Sequence, residues 1–311
     1  MMHENGMTDA ELRTEMTRTA YNRYLRYGVA TNALLSDTNP IAGYLLPEEF
    51  ETKLTDAMNS IGVIRGLCTE VKTSVDRIMP IVNGHGQPQW VPDGGAVPLV
   101  RDTFDRVVLD SHVLAATIRV TSELLKESAI DIEQYLADSF ADRMAPAEEE
   151  AFTSEYILLR GKHGGGYGGL LREVNMCAAS KITGQAITAL YTGVPEAYRQ
   201  KAVFLMNAVT LNGLRGTLDA DVHNWITCRR DRSLLLMNKP VMLCNAMPFI
   251  RKGSVPILFG DFSKVSIKDC GRNELQQEPC NGSSDRLLCT MTGYMNCALE
   301  DKRAIWGLKI I

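Results

Sequence analysis

The chain has 311 residues, 45% hydrophobic and 23% charged, which is enough apolar material for one large or two medium cores. Its formal net charge is −4 and its Lys and Arg are scattered, which excludes a surface built for sequence-specific DNA binding. No apolar run reaches the roughly 18 residues that span a bilayer, and the polar start MMHENGMTDAELRTEM lacks the apolar segment and cleavage site of a signal peptide, so the sequence reads as cytoplasmic with no membrane segment.

The first predicted helix runs from Thr8 to Arg26, opened by a Thr8/Glu11 capping box, carrying Leu12, Met16 and Ala20 on one face and ended by Gly28. A better helix follows the loop SDTNPIAG: Pro47 suits a first helical position, Glu48 and Glu49 suit the first turn, and Leu46, Phe50, Leu54 and Met58 stack on one face. From Glu70 to Thr121 the pattern becomes RIMPIV, then the Gly/Pro-rich NGHGQPQWVPDGGAVPLVRD, then one long β-branched strand, TFDRVVLDSHVLAATIRV. A two-stranded ribbon with an irregular tip is expected there. It carries too few apolar residues for a core of its own and must lie on something, either this chain or another copy of it.

Asp131 with Gln134 opens a long helix predicted to continue through Tyr156, with Leu136, Phe140, Met144, Ala147 and Ala151 on one stripe and a kink expected at Pro146. Beyond it, RGKHGGGYGGLL (160–171) sets Gly164, Gly165, Gly166, Gly168 and Gly169 around Tyr167. The remaining elements are short: ITALYTGVPEAYRQ as helix and turn, AVTLNGLRG as a helix, and KAVFLMN, KPVMLCNAMP, VPILFGDFSKVSIKD, RLLCTMTGYMNCALED and AIWGLKII as strands. The fold class is mixed α+β without a long repeat.

No chemistry emerges from the usual patterns. A P-loop needs G-x-x-x-x-G-K-[ST] between a strand and a helix, whereas Lys162 precedes these glycines and no Ser or Thr follows. Gly164, Gly166 and Gly169 match the bare dinucleotide spacing but lack its strand–helix context. His3, His85, His112, His163 and His223 are far apart and read as surface or loop residues, and Glu148, Glu149 and Glu150 read as a solvated run on a helix. The eight cysteines include no CxxC, and Cys289 and Cys297 share strand parity with Met291 and Met295, the pattern of buried reduced thiols on one face. No catalytic residue, cofactor or metal is expected.

The strings GYLLPEEF (43–50), NGHGQPQWVPDGGA (83–96), DTFDRVVL (102–109), TSELLKES (121–128), DIEQYLADSFADRM (131–144), AEEEAF (147–152), the loop ending GGLL, PEAYRQKAVFLMN (195–207) and ILFGDF (257–262) resemble, in order and spacing, the Hong Kong 97-like major capsid proteins of tailed bacteriophages. The resemblance runs from about Tyr21 to the final LKII. It implies an N-terminal helical segment and N-arm (1–69), an extended β-ribbon called the E-loop (70–120), a P-domain with a long spine helix (121–183), an A-domain (184–266) and C-terminal strands returning to the P-domain (267–311).

On this resemblance the E-loop residues Trp90, Val91, Asp93 and Phe104 are inter-subunit contacts, and the glycines only turn the chain after the spine helix, where positive φ is useful. The implied partners are copies of the chain itself in pentamers and hexamers, a scaffold or maturation protease, portal and decoration proteins, and packaged double-stranded DNA held without sequence specificity, with no membrane. The implied location is the virion capsid, assembled in the host bacterial cytoplasm. Some relatives crosslink an E-loop lysine to a neighbour's asparagine; between Lys72 and Lys126 there is no lysine, so no crosslink is expected. About 40 residues precede GYLLPEEF, so a longer scaffolding segment is expected either as a separate protein or upstream of this start. Within the same fold the alternative is an encapsulin-like compartment or a gene-transfer-agent shell. From a different class, the alternative is a nucleotide-binding enzyme using the Gly164–Gly169 loop.

Overall fold

The computed structural model describes residues 19–21, 23, 25, 44–45, 48–73, 77–84, 90–91, 93, 103–121, 123–124, 131–156, 159–160, 166–167, 169–216, 225–230, 233–269, 273–279 and 286–311. The chain forms two compact units, each assembled from three segments: Met1–Gly62, Val113–Glu148 and Cys270–Met295 make the first, and Val63–His112, Glu149–Asp269 and Asn296–Ile311 the second.

In the first unit the helix Glu48–Ile61 buries Phe50, Leu54 and Met58, the face that i, i+4 spacing predicts. The Tyr21 ring meets Phe50 edge-on at 5.7 Å between centroids, and residues 19–21, 23 and 25 are helical, whereas the rest of the predicted Thr8–Arg26 helix, with Pro47 and Gly28, lies outside the described residues. The long helix Ile132–Phe152 starts as expected, with the Asp131 carboxylate accepting from the backbone N–H of Gln134 at 3.2 Å. Leu136, Phe140 and Met144 form its buried stripe. Lys53 ties the two helices together, its amine 3.0 Å from Glu133 and 3.4 Å from Asp131.

At 21 residues the long helix is about 32 Å long, at about 1.5 Å per residue. It continues through Pro146, which sits on the exposed side, and ends at Phe152, short of the predicted Tyr156. The reason for the early end is local. Ser154 draws the chain into a side-chain turn, its hydroxyl 2.8 Å from the Tyr156 carbonyl and accepting from the Tyr156 N–H at 3.0 Å, an alternative to helical bonding.

One predicted strand is two. TFDRVVLDSHVLAATIRV breaks at Asp110 and Ser111 into Thr103–Leu109 and His112–Thr121, because this polar pair is held in place instead of continuing a ladder. The first piece pairs antiparallel with Arg77–Gly84 and makes the ribbon; the second pairs with Arg286–Leu299. His112 is a correction to the sequence reading. It is buried, not on the surface, because it is the inward position that opens the second piece. Along Arg286–Leu299 the alternation is as expected, with Cys289, Met291, Met295 and Cys297 buried. Cys68, Cys177, Cys228, Cys244, Cys289 and Cys297 are unbridged, and Cys270 and Cys280 lie outside the described residues.

The second unit is organised on a seven-stranded mixed sheet in the order Ile226–Cys228, Leu234–Leu236, Lys239–Leu243, Val203–Met206, Ile257–Gly260, Ile305–Ile310, Asn175–Ala179. Its helices Gly184–Gly193 and Ala208–Arg215 are capped by Thr183, which accepts from Ala186 N–H at 3.3 Å, and by Asn207, which accepts from Val209 N–H at 2.9 Å. They bury Ile187, Leu190, Leu211 and Leu214 in one core with Phe204 and Phe259, whose rings stack at 4.3 Å. Asn175–Ala179 and Leu234–Leu236 escape sequence reading because five and three residues show no periodicity.

Candidate functional site

The feature without a core of its own is the ribbon. Its register pairs Arg77 with Leu109, Pro80 with Arg106 and Val82 with Phe104, with an irregularity between Val82 and Gly84. Arg106, opposite Pro80 in this register, is exposed. Toward the tip, Trp90 is 103% exposed, Asp93 is exposed and Val91 is half-buried. A fully exposed tryptophan is unusual for a residue that buries readily.

The two legs of the ribbon are rooted on consecutive residues of one strand. Thr69–Lys72, just before the first leg, pairs parallel with Val265–Asp269, and Thr73 N–H donates to the Asp269 carbonyl at 3.0 Å. At the end of the second leg, Lys268 sends its amine to the Leu109 carbonyl at 3.1 Å and the Ser111 hydroxyl at 2.8 Å. Lys268 and Asp110 are both buried. Arg65, buried nearby in sequence, pairs with Glu70 at 2.9 Å and Asp269 at 3.7 Å. Sequence reading missed Lys268; its only signal is a lysine following Val265 and Ile267 in the short strand VSIKD.

Of the glycines assigned to a turn, Gly164, Gly165 and Gly168 lie outside the described residues. Gly166 belongs to a two-residue strand, Gly166–Tyr167, paired antiparallel with Leu159–Arg160. Gly169 has φ +82°, donates its N–H to the Ala151 carbonyl at 3.3 Å and precedes a helix of only four residues, Leu170–Glu173. So short a helix offers little macrodipole for a phosphate.

Of the glutamate run only Glu150 is solvated as expected; the other two correct the sequence reading. Glu148 is buried, and Glu149 accepts from the backbone N–H groups of Val63 and Ile64, the second at 3.2 Å. Its other oxygen faces the Cys244 thiol at 3.5 Å. Burial, then the Glu149 charge, push that thiol up to about 12, so it stays protonated at neutral pH and is not a nucleophile. Among the described residues no group of three or more His, Cys, Asp or Glu is placed to hold a metal, and no helix is long and apolar enough to cross a membrane.

A family model described as the phage capsid family matches residues 42–310. The chain belongs to the phage capsid family. No curated protein matches it. Among solved structures, this capsid protein is similar to the capsid of an empty GTA particle (TM-score 0.65, 24% identity, covering 79% of this chain and 89% of that one) and to the capsid of a native GTA particle (0.61, 21%, 91% and 98%). It is also similar to a chain of Microbacterium phage Oxtober96 (0.60, 14%, 91% and 96%). The fold is therefore the Hong Kong 97-like capsid fold, and the chain is a major capsid protein that assembles into multimeric shells.

Proposed function

We propose that this capsid protein closes, through pentamers and hexamers, into an icosahedral shell around the double-stranded DNA of a tailed phage or prophage, assembled in the host bacterial cytoplasm. The observation that supports it most directly is the ribbon Arg77–Gly84/Thr103–Leu109, rooted firmly on Val265–Asp269 yet ending in a fully exposed Trp90. An isolated two-stranded ribbon is marginal in water, so it is to be covered by a neighbouring copy, with Trp90, Val91, Asp93 and Phe104 as the contacts. The glycines at 164–169 act as the turn after the long helix, with no ligand. A net charge of −4 suits a container that holds its genome without sequence specificity and releases it. Lacking lysine between Lys72 and Lys126, the ribbon makes no isopeptide crosslink, and the shell is held by non-covalent contacts. A scaffold or maturation protease, a portal and decoration proteins complete the particle.

A gene-transfer-agent shell is the second reading, favoured by the two GTA capsids at TM-scores of 0.65 and 0.61. Electron microscopy with light scattering of the purified chain tests both. Uniform megadalton shells, or rings of five or six, are expected; a monodisperse 34.4 kDa monomer that stays so with its scaffold supplied would sink the proposal.

A further inference from the structure

We infer that the loop Phe249–Ser254, with the neighbouring turn of the helix Ala208–Arg215, is a preformed contact patch for a second copy of this chain. Three apolar side chains stand out of the second unit here: Val209 at 60% exposure, Phe249 at 49% and Ile250 at 43%. They belong to one surface. Val209 and Gly213 lie one turn apart on the same helix face, and the Ile250 side chain sits against Gly213, where an added Cβ would be 3.4 Å from Ile250 Cδ1.

The loop holds these side chains outward by construction. The Ser254 hydroxyl accepts from Arg251 N–H at 3.0 Å and lies 2.8 Å from the Phe249 carbonyl and 2.7 Å from the Arg251 carbonyl. Gly253, at φ +88°, makes the turn and donates to the Ile310 carbonyl at 2.6 Å, while Ile310 N–H returns a bond to Ser254 at 3.0 Å. The loop is thus locked to the C-terminal end of the strand Ile305–Ile310. On the other side, the Asn207 amide donates to the carbonyls of Asn245 at 2.9 Å and Met247 at 3.3 Å, fixing the approach to Phe249. A loop ordered before binding loses little entropy on being covered, and arginine is among the residues enriched at interface hot spots.

A second copy is the occupant for two reasons. The chain is a major capsid protein, so copies of itself meet its surface at high local concentration. Exposed Arg251 and Lys252 border the apolar centre, so the facing surface is to carry carboxylates, which a second copy with 37 Asp and Glu against 33 Lys and Arg can supply. The inference rests on the proposed shell function and adds the residues that make one contact within it.

The test is a double variant, Phe249→Ser with Ile250→Ser, assembled beside the parent chain and beside Val113→Ser, an equally exposed apolar control at 51%. The expected result is a folded protein with an unchanged unfolding midpoint whose shell fraction falls at least about tenfold, with Val113→Ser matching the parent. Hydroxyl-radical footprinting of the parent keeps the question open to refutation if the double variant does not fold: Phe249 should be oxidised several-fold more slowly in shells than in dissociated subunits. Variant shells as abundant as parental ones, or equal Phe249 oxidation in both states, overturn the patch alone. A parent chain that forms no multimer with its scaffold overturns both the patch and the shell function.

Discussion

The Lys268 amine stands 2.8 Å from the Ser111 hydroxyl across 157 positions of sequence and joins the end of the ribbon to a buried strand. Replacing it by methionine keeps the length but leaves the Leu109 carbonyl without its charged donor. Because only one partner is replaced, a loss of about 1–3 kcal/mol is expected in urea unfolding. Faster amide exchange over Thr103–Leu109 should accompany it. An unchanged midpoint and unchanged exchange would show that the lysine does not hold the ribbon's root.

Deleting residues 83–98, or substituting Trp90→Ser, removes surface that this chain does not itself bury at Trp90. Both variants are expected to stay soluble, with the Trp90→Ser unfolding midpoint within about 0.5 kcal/mol of the parent, and to fail to close shells by electron microscopy. Normal shells from either would remove the ribbon from the assembly.

Asp301 accepts from Tyr198 at 2.6 Å and from Arg303 at 2.8 Å. Burial alone would raise its pKa, but the bonds from Arg303 and Tyr198 outweigh it and hold the carboxyl at about 2. A folded pKa below the unfolded value of about 3.9 means stability present at neutral pH and lost as the pH falls through the folded value. Asp301→Asn should therefore cost stability at pH 7, by less than about 1 kcal/mol because Arg303 is half exposed, and the gap to the parent should close between about pH 4 and pH 2. A gap that widens toward acid would contradict the assignment.

Gly169→Ala forces a side chain into φ +82° and is expected to cost about 1 kcal/mol in thermal unfolding. Calorimetry with ATP should show no saturable binding by parent or variant. A parental isotherm abolished by the substitution would restore the phosphate-loop reading of these glycines.

Local patterns made much of the fold legible. Phe50, Leu54 and Met58 at helical spacing, Asp131 as a cap, and the odd-numbered Cys and Met of Arg286–Leu299 each act through neighbours a few residues away, so the sequence displays them. The same holds for the order of strings that resembles the Hong Kong 97-like capsids, and for the existence of a ribbon too poor in apolar residues to stand alone. Long-range contacts were not legible. The break at Asp110–Ser111, the burial of His112 and Glu148, and the pairing of Lys268 with Leu109 depend on which distant segment arrives alongside, and no local period encodes that arrival. Tertiary structure alone decided that both legs of the ribbon meet on residues 268 and 269, because a buried amine and a parallel ladder find their partners only after the strand Val265–Asp269 has been placed.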